Sequence, residues 1–384
     1  MRKFPLWKLK REILRFGRQI AELPGLTWEY FDLRTSYDRK AAAMRKTHEG
    51  KLPMGREVAI YLIFPAGGIL ASHLDALRLM IAEGISPVVV SNLPLSTDDL
   101  ATLAPLATRI IERPNLGYDF GGYRDGILAL ESTLPDLDRL YILNDSAWMV
   151  EAPQSWFQDV RAKRVDFCGA TSNYGIKRHD ADDFRELRWQ YTIHHRNFHY
   201  ASYALAIGQN ILRNPAFVSF WKRFRLSNQK KRTVRRGEIG LTQWVMRHGF
   251  SHDATCSVMD LEKEIAALDT AVLDAVTRNL IIPERPRIRA KRDEVLLSDP
   301  ATPEGRRDRI QIILTAVSAQ ALGYVMPYYT LRHRGFQFVK KSPLWISSAG
   351  SRTTLDILSA LPGPMGQTAH AEALQIVANR PPAE

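Results

Sequence analysis

The first half of the chain alternates between two kinds of hydrophobic pattern. Residues 57–65, EVAIYLIFP, are an unbroken apolar, β-rich run, and residues 70–84, LASHLDALRLMIAEG, follow with apolar positions at helical spacing and a closing glycine. The alternation continues with a strand at 86–92 (SPVVVSN) and a helix at 96–104 (STDDLATLA) that opens on an N-cap serine and an acidic first turn. A third strand at 107–114 (ATRIIERP), a helix opened by NLGYDFGGYRDGI (115–127) and a fourth strand at 139–145 (RLYILND) complete the series. Continuously apolar strands separated by helices predict an α/β fold, a mostly parallel Rossmann-type sheet covered by helices on both faces. Ligands bind such sheets outside the carboxyl ends of the strands. The polar residues expected there are Ala66-Gly67-Gly68, Ser91-Asn92, the opening of 115–127 and Asn144-Asp145-Ser146.

Beyond residue 150 the pattern loosens. VDFCGATSN (165–173) reads as a strand, HYASYALAIGQNIL (199–212) as a strand or buried segment, and FVSFWKRF (217–224) as a helix. SNQKKRTVRRG (227–237) reads as an exposed basic loop leading into GEIGLTQWVMRHGF, a helix ended by Gly249. Residues 285–309 resemble a charged, proline-bearing linker or loop. The uncharged stretch 310–330 is long enough to cross a bilayer, but Gln311, Thr315, Ser318, Gln320 and Pro327 interrupt it, and it reads as a buried core helix. This divides the chain into a basic amphipathic helical leader (1–54), an α/β domain (55–260) and a helical C-terminal region (261–384).

The net charge of +12 and isoelectric point near 9.7 add attraction to polyanions. The two cysteines, Cys168 and Cys256, support neither a disulfide framework nor a zinc site, which points to a reducing, cytoplasmic compartment. Read as a helix from Leu6, the leader gathers Leu6, Leu9, Ile13, Leu14 and Phe16 toward one side, with Lys8, Lys10, Arg11, Arg15 and Arg18 mostly elsewhere. That pattern suits either an anionic membrane surface or a basic helix packed on the domain.

The glycines of 115–127 fit two demands, a tight strand-to-helix turn or a backbone approached closely by phosphate oxygens at a helix N-terminus. The segment departs from both the dinucleotide fingerprint and the P-loop. Asp145, at the end of a strand, either offers a hard oxygen to a divalent metal or caps the next turn.

Taken together, N-x-G-x-D-F-G at 115–121 and L-N-D-S at 143–146 resemble the rhamnan synthesis protein F family, bacterial glycosyltransferases or glycosyltransferase-like proteins of cell-surface polysaccharide assembly. VDFCGAT, HYASYALA, GEIGLTQWVMRHGF and RGFQFVKK extend the resemblance to roughly 57–345, with Ala201 where the family has glutamine and Gln337 where it has proline. The same segments are similar to GT-A glycosyltransferase motifs, Asp145 being the one carboxylate kept of an Asp-x-Asp pair. The resemblance implies transfer of a sugar, rhamnose or another deoxyhexose, from a nucleotide-sugar donor to a cell-surface polysaccharide or lipopolysaccharide acceptor at the cytoplasmic face of the bacterial inner membrane. Asn92, Asn115, Gly117, Tyr118, Asp119, Gly121, Asn144 and Ser146 would shape the donor pocket. Asp145 would meet the diphosphate or an Mg²⁺ or Mn²⁺ ion, unless basic residues neutralise the leaving group instead. Glu238 would be the catalytic base, although the corresponding aspartate of inverting enzymes falls at Ile239, and a helix-dipole charge explains it equally. His199 and Ser202 would contact sugar or acceptor, and Arg124 and Lys340 would face phosphate. The basic run Lys230, Lys231, Arg232, Arg235 and Arg236 would suit a glycan-lipid phosphate or an anionic bilayer. The absence of a stacking-aromatic or recognition-helix pattern argues against nucleic acid. The alternative is a non-catalytic sugar-binding or assembly subunit that keeps the fold. Oligomeric state leaves no trace in the sequence.

Overall fold

The computed structural model describes residues 33–382, and the amphipathic leader helix expected from Leu6 lies outside them. Twelve strands occur among the described residues: β1 Lys46–Glu49, β2 Glu57–Ile63, β3 Ser86–Ser91, β4 Arg109–Glu112, β5 Arg139–Asn144, β6 Ala147–Met149, β7 Phe167–Gly169, β8 Ser172–Asn173, β9 His199–Tyr200, β10 Ala204–Gly208, β11 His252–Ala254 and β12 Phe338–Lys340. Eight of them form the central sheet in the order β1-β4-β3-β2-β5-β10-β7-β11. The pairs β4/β3, β3/β2, β2/β5 and β7/β11 are parallel, whereas β10 runs antiparallel to both neighbours and β1 antiparallel to β4.

The apolar run of β2 is explained by burial on two sides. Ala59, Tyr61 and Ile63 belong to one core and Val58, Ile60 and Leu62 to the other, so the two-residue period of a strand feeds both faces. Helix Ala71–Ala82 and the C-terminal helices pack on the first face, while helix Tyr118–Ala129 packs on the second. From β2 the chain moves outward through β3 to β4, then returns to place β5 on the other side of β2. The strand order therefore reverses between β2 and β5, which sets the crevice beyond their carboxyl ends.

Three expectations are corrected. Residues 227–237 are not a loop: Lys230–Val234 is α-helical and Arg235–Ile239 forms a π-helical turn that runs into helix Gly240–Arg247. Lysine and arginine are good helix formers, and Thr233 is buried with its hydroxyl on the Ser227 carbonyl at 2.9 Å. Residues 285–309 are not a linker: helix Pro286–Val295 starts on a proline and buries Ile288 and Val295, and helix Pro303–Ala319 follows from a Thr302 cap. The uncharged stretch 310–330 is buried but is not one helix. It breaks at Gln320, resumes as Leu322–Val325 and restarts at Pro327, whose missing N–H and ring deny the preceding residue a helical conformation. Among the described residues no helix is long and apolar enough to cross a membrane.

The glycines of the 115–127 segment serve packing. Gly117 sits at φ 81°, a left-handed conformation that turns the chain into helix Tyr118–Ala129. A Cβ on Gly121 would lie 2.0 Å from the Leu116 carbonyl oxygen, and one on Gly122 would lie 2.4 Å from a Leu62 methyl on β2. Gly121→Ala is therefore expected to cost about 1–3 kcal/mol of stability, read as a fall in melting temperature, because a backbone oxygen has to give way. A Cβ on Gly67 meets nothing within 4 Å, so Gly67→Ala is the control. Equal melting temperatures for the two variants would reject the packing explanation.

Candidate functional site

At the carboxyl end of β5, Asn144 joins two segments. Its side-chain amide donates to Asp119 Oδ2 at 3.0 Å and to the Tyr123 hydroxyl at 2.8 Å, both on helix Tyr118–Ala129. Its side-chain oxygen accepts the Ser146 backbone N–H at 3.1 Å and the Ser146 hydroxyl at 2.5 Å. Tyr123 in turn donates to the Ser202 carbonyl at 2.8 Å, which ties in the approach to β10.

The C-terminal region enters through β12, which pairs with β6 and places Lys340 opposite Ala147. The Lys340 ammonium donates to Ser146 Oγ at 2.9 Å and stands 4.1 Å from the centre of the Tyr203 ring. Glu238 arrives on the π-helical turn, and turns of this type recur at functional sites. Its carboxylate accepts the Ser202 hydroxyl at 2.6 Å and lies 3.3 Å from His199 Nε2, whose other ring nitrogen donates to the Asn197 carbonyl at 2.7 Å.

Burial and charge set the carboxylates apart. Asp119 is pushed up to about 6, first by burial, then by the neighbouring Asp145 and Glu238 charges, against the opposing pull of Lys340. Burial would raise Glu238 as well, but the hydrogen bond and charge of His199, the Ser202 hydroxyl and Lys340 together hold it below its usual value. Lys340 is pulled down to about 8 by burial, with Asp119 and Glu238 resisting.

Six of the residues singled out from sequence therefore line one cleft of about 560 Å³: Asp119, Asn144, Ser146, Ser202, Glu238 and Lys340. His199 stands directly behind Glu238. The other assignments are corrected by position. Asn92 is buried and accepts from Arg113, which also binds Asp125 at 2.6 Å and the Tyr37 hydroxyl at 2.8 Å. Arg124 is buried away from the cleft, on the Trp221 carbonyl at 3.0 Å and Asp38 at 2.7 Å. Gly121 is closed in by Leu116 and Arg113, the Gly117 N–H is taken by Asn228 at 2.9 Å, and Asn115 and the positive-φ Tyr118 are exposed without lining the cleft.

Asp145 lies one layer back. Its carboxylate accepts the Phe64 N–H at 2.7 Å and faces His73 Nε2 at 3.3 Å; burial would raise it, yet His73, Lys341 and the Phe64 N–H hold it low. One oxygen is thus already committed, and among the described residues no group of three or more His, Cys, Asp or Glu is placed to hold a metal. The Lys340 ammonium faces the same carboxylates.

Sequence reasoning passed over Tyr203, although it ends the HYASY stretch that carried the resemblance, and missed the far wall of the cleft, Arg178, Gln320, Tyr324 and Trp345. The far-wall residues come from separated segments and share no local motif. Lys230 also lines the cleft, and its signal was the basic run itself.

The family model of rhamnan synthesis protein F matches residues 87–292. The chain belongs to the rhamnan synthesis protein F family. It is 32% identical over 257 residues to the uncharacterized protein y4gN of Sinorhizobium fredii (strain NBRC 101917 / NGR234), a match spanning 67% of this chain and 63% of that relative. Among solved structures, A197 from STIV matches with 13% identity and a TM-score of 0.26, over 52% of this chain and 81% of that one, a likeness too weak to bear on fold or function. The matched interval of the rhamnan synthesis family model contains Asp119, Asn144, Ser146, Ser202 and Glu238, while Lys340 falls beyond it.

The raised Asp119 value has a stability consequence. A carboxyl raised in the fold favours the folded state below its unfolded value near 4 and loses that contribution as pH climbs through about 6. Asp119→Asn, which keeps an oxygen for Asn144, should therefore raise stability at pH 7.5 by on the order of 1–2 kcal/mol and do nothing at pH 4. Thermal denaturation at the two pH values decides it, and a loss of stability at pH 7.5 would contradict the assignment.

Proposed function

We propose that the protein is a glycosyltransferase that passes a sugar, rhamnose or another deoxyhexose, from a nucleotide-sugar to a cell-surface polysaccharide or lipopolysaccharide acceptor, working peripherally at the cytoplasmic face of the inner membrane. The observation that carries this is the gathering of Asp119, Asn144, Ser146, Glu238 and Lys340 around one cleft beside the strand-order reversal of a mostly parallel sheet. Membership in a family of rhamnan synthesis supplies the substrate class. In this reading residues of the C-terminal region, Lys340 among them, share the site with residues of the 55–260 domain.

In this reading the nucleoside diphosphate lies against Ser146 and Lys340. An acceptor hydroxyl attacks the anomeric carbon, its proton passes to the Glu238 carboxylate, and the bond to the diphosphate oxygen breaks as Lys340 and Ser146 stabilise the departing charge. His199 and Ser202 hold Glu238 ionised, so the base form is present throughout the neutral range. Lys340 supplies the positive charge at the position where a metal would otherwise be needed, and Asn144 keeps Asp119 at the rim of the same pocket.

The second reading, a non-catalytic subunit that keeps the fold, draws on the engagement of Asp145 by Phe64 and His73. One assay separates the two: release of nucleoside diphosphate from a panel of nucleotide-deoxyhexoses, run both with Mg²⁺ or Mn²⁺ and with EDTA. Glu238→Gln is expected to lower turnover by about 100-fold or more with donor affinity little changed. The kcat/KM of the wild type should fall as pH rises through about 8, where Lys340 loses its proton. Full activity in Glu238→Gln would remove the base from the mechanism, and no turnover with any donor or acceptor extract would favour the non-catalytic subunit.

A further inference from the structure

The cleft is lined by more than the residues assigned to the donor. Part of its wall is built by the interruption in the C-terminal helical region: Gln320, Ala321, Gly323 and Tyr324, with Trp345 and Ile346 from the segment after β12. The interruption is backbone-deep, since Gln320 adopts an extended conformation (φ −145°, ψ 158°) immediately after seventeen helical residues. It turns what would be a continuous apolar helix into a wall with side chains facing the cleft.

One polar group on that wall is unmatched: Gln320 Oε1 is shielded from solvent and makes no hydrogen bond, while the neighbouring Tyr324 hydroxyl has the Ser342 hydroxyl as its partner. Unpaired buried polar atoms are a standing cost that native proteins keep at few places. Beside them Trp345 is half-buried, with the Arg380 guanidinium 4.9 Å from its ring centre. The lining at this end carries one acid, Glu284, and two arginines, Arg285 and Arg178, the latter stacked on Tyr174 at 4.3 Å. An aromatic surface next to an unpaired amide oxygen and a phenol is complementary to a ligand that has C–H faces and ring hydroxyls, a description met by a sugar ring.

We infer that this wall is the acceptor subsite, which holds the terminal sugar of the growing glycan through Trp345, Gln320 and Tyr324 and presents its hydroxyl to Glu238. The inference rests on the glycosyltransferase reading, and it adds the residues that would hold the acceptor, none of them singled out from sequence as a site residue. The donor half and the acceptor half then share one cleft, which Ser202 and Glu238 also line.

The test uses the full chain with two probes: methyl α-L-rhamnoside for the acceptor wall, followed by saturation-transfer NMR, and pyrophosphate for the donor half, followed by calorimetry. Wild type should give saturation transfer to the sugar, and Trp345→Ala and Gln320→Leu should each weaken it by about five-fold or more while pyrophosphate binding is unchanged. Gln320→Leu should also melt at or above the wild-type temperature, because it removes an unpaired amide, an effect that loss of a structural contact would not give. Absence of transfer to the sugar in wild type, a signal that survives both substitutions, or signal loss only alongside a lower melting temperature in both variants would overturn the subsite. Failure of wild type to bind pyrophosphate with sugar binding intact would instead overturn the donor half of the glycosyltransferase reading.

Discussion

The site depends on the side chain of Asn144. One amide, at the last position of β5, holds Asp119 and Tyr123 of one helix and orients Ser146 of the following turn. Through Tyr123 it reaches the Ser202 carbonyl, and through Ser146 it reaches Lys340. Five groups from separate parts of the chain are thereby fixed around one opening by neutral or charge-assisted hydrogen bonds in a partly dehydrated setting, where such networks hold geometry tightly. An aspartate at 144 would set a second negative charge against Asp119, and a leucine would leave Asp119 and the Tyr123 hydroxyl without this donor.

Around that hub the electrostatics divide the carboxylates into distinct jobs. Asp145 and Glu238 are each held ionised by a histidine, His73 in one case and His199 in the other. Asp119 has an amide and a more distant lysine, so burial wins and its proton is retained toward neutrality. Lys340 faces all three acids and is itself weakened by burial. Such a cleft has acidic groups of graded strength facing a buried lysine that releases its proton near pH 8, an arrangement suited to receiving a phosphate-bearing ligand whose charge would strengthen that lysine's grip.

Much of the central sheet was legible because β2, β3 and β5 bury both faces and leave continuous apolar runs. Strand β1 escaped because Lys46, Thr47, His48 and Glu49 lie at an edge, largely exposed, with their pairing to β4 invisible in any local pattern. The helix Lys230–Val234 escaped because its one buried residue is a threonine among basic neighbours. Asp119, Asn144, Ser146 and Glu238 were found through motifs that lie at strand ends and helix starts, where sequence and geometry are coupled. Asn92 and Arg124 were misplaced because a buried polar residue at a strand end or on a glycine-rich helix can serve packing as readily as a ligand: Asn92 joins the Arg113–Asp125–Tyr37 cluster and Arg124 pins helix Leu33–Met44 through Asp38. The far wall left no signal, since its residues are assembled by a helix break and a short β pairing nearly two hundred residues from β5.

The central claim is that nucleoside diphosphate occupies the crevice between the start of helix Tyr118–Ala129, the turn after β5 and the end of β12. Amide hydrogen exchange of the full chain with and without a nucleoside diphosphate measures this directly. The account predicts added protection confined to three separated stretches, around residues 117–123, 144–148 and 338–342. Protection confined to other surfaces, or none at saturating nucleotide, would contradict it.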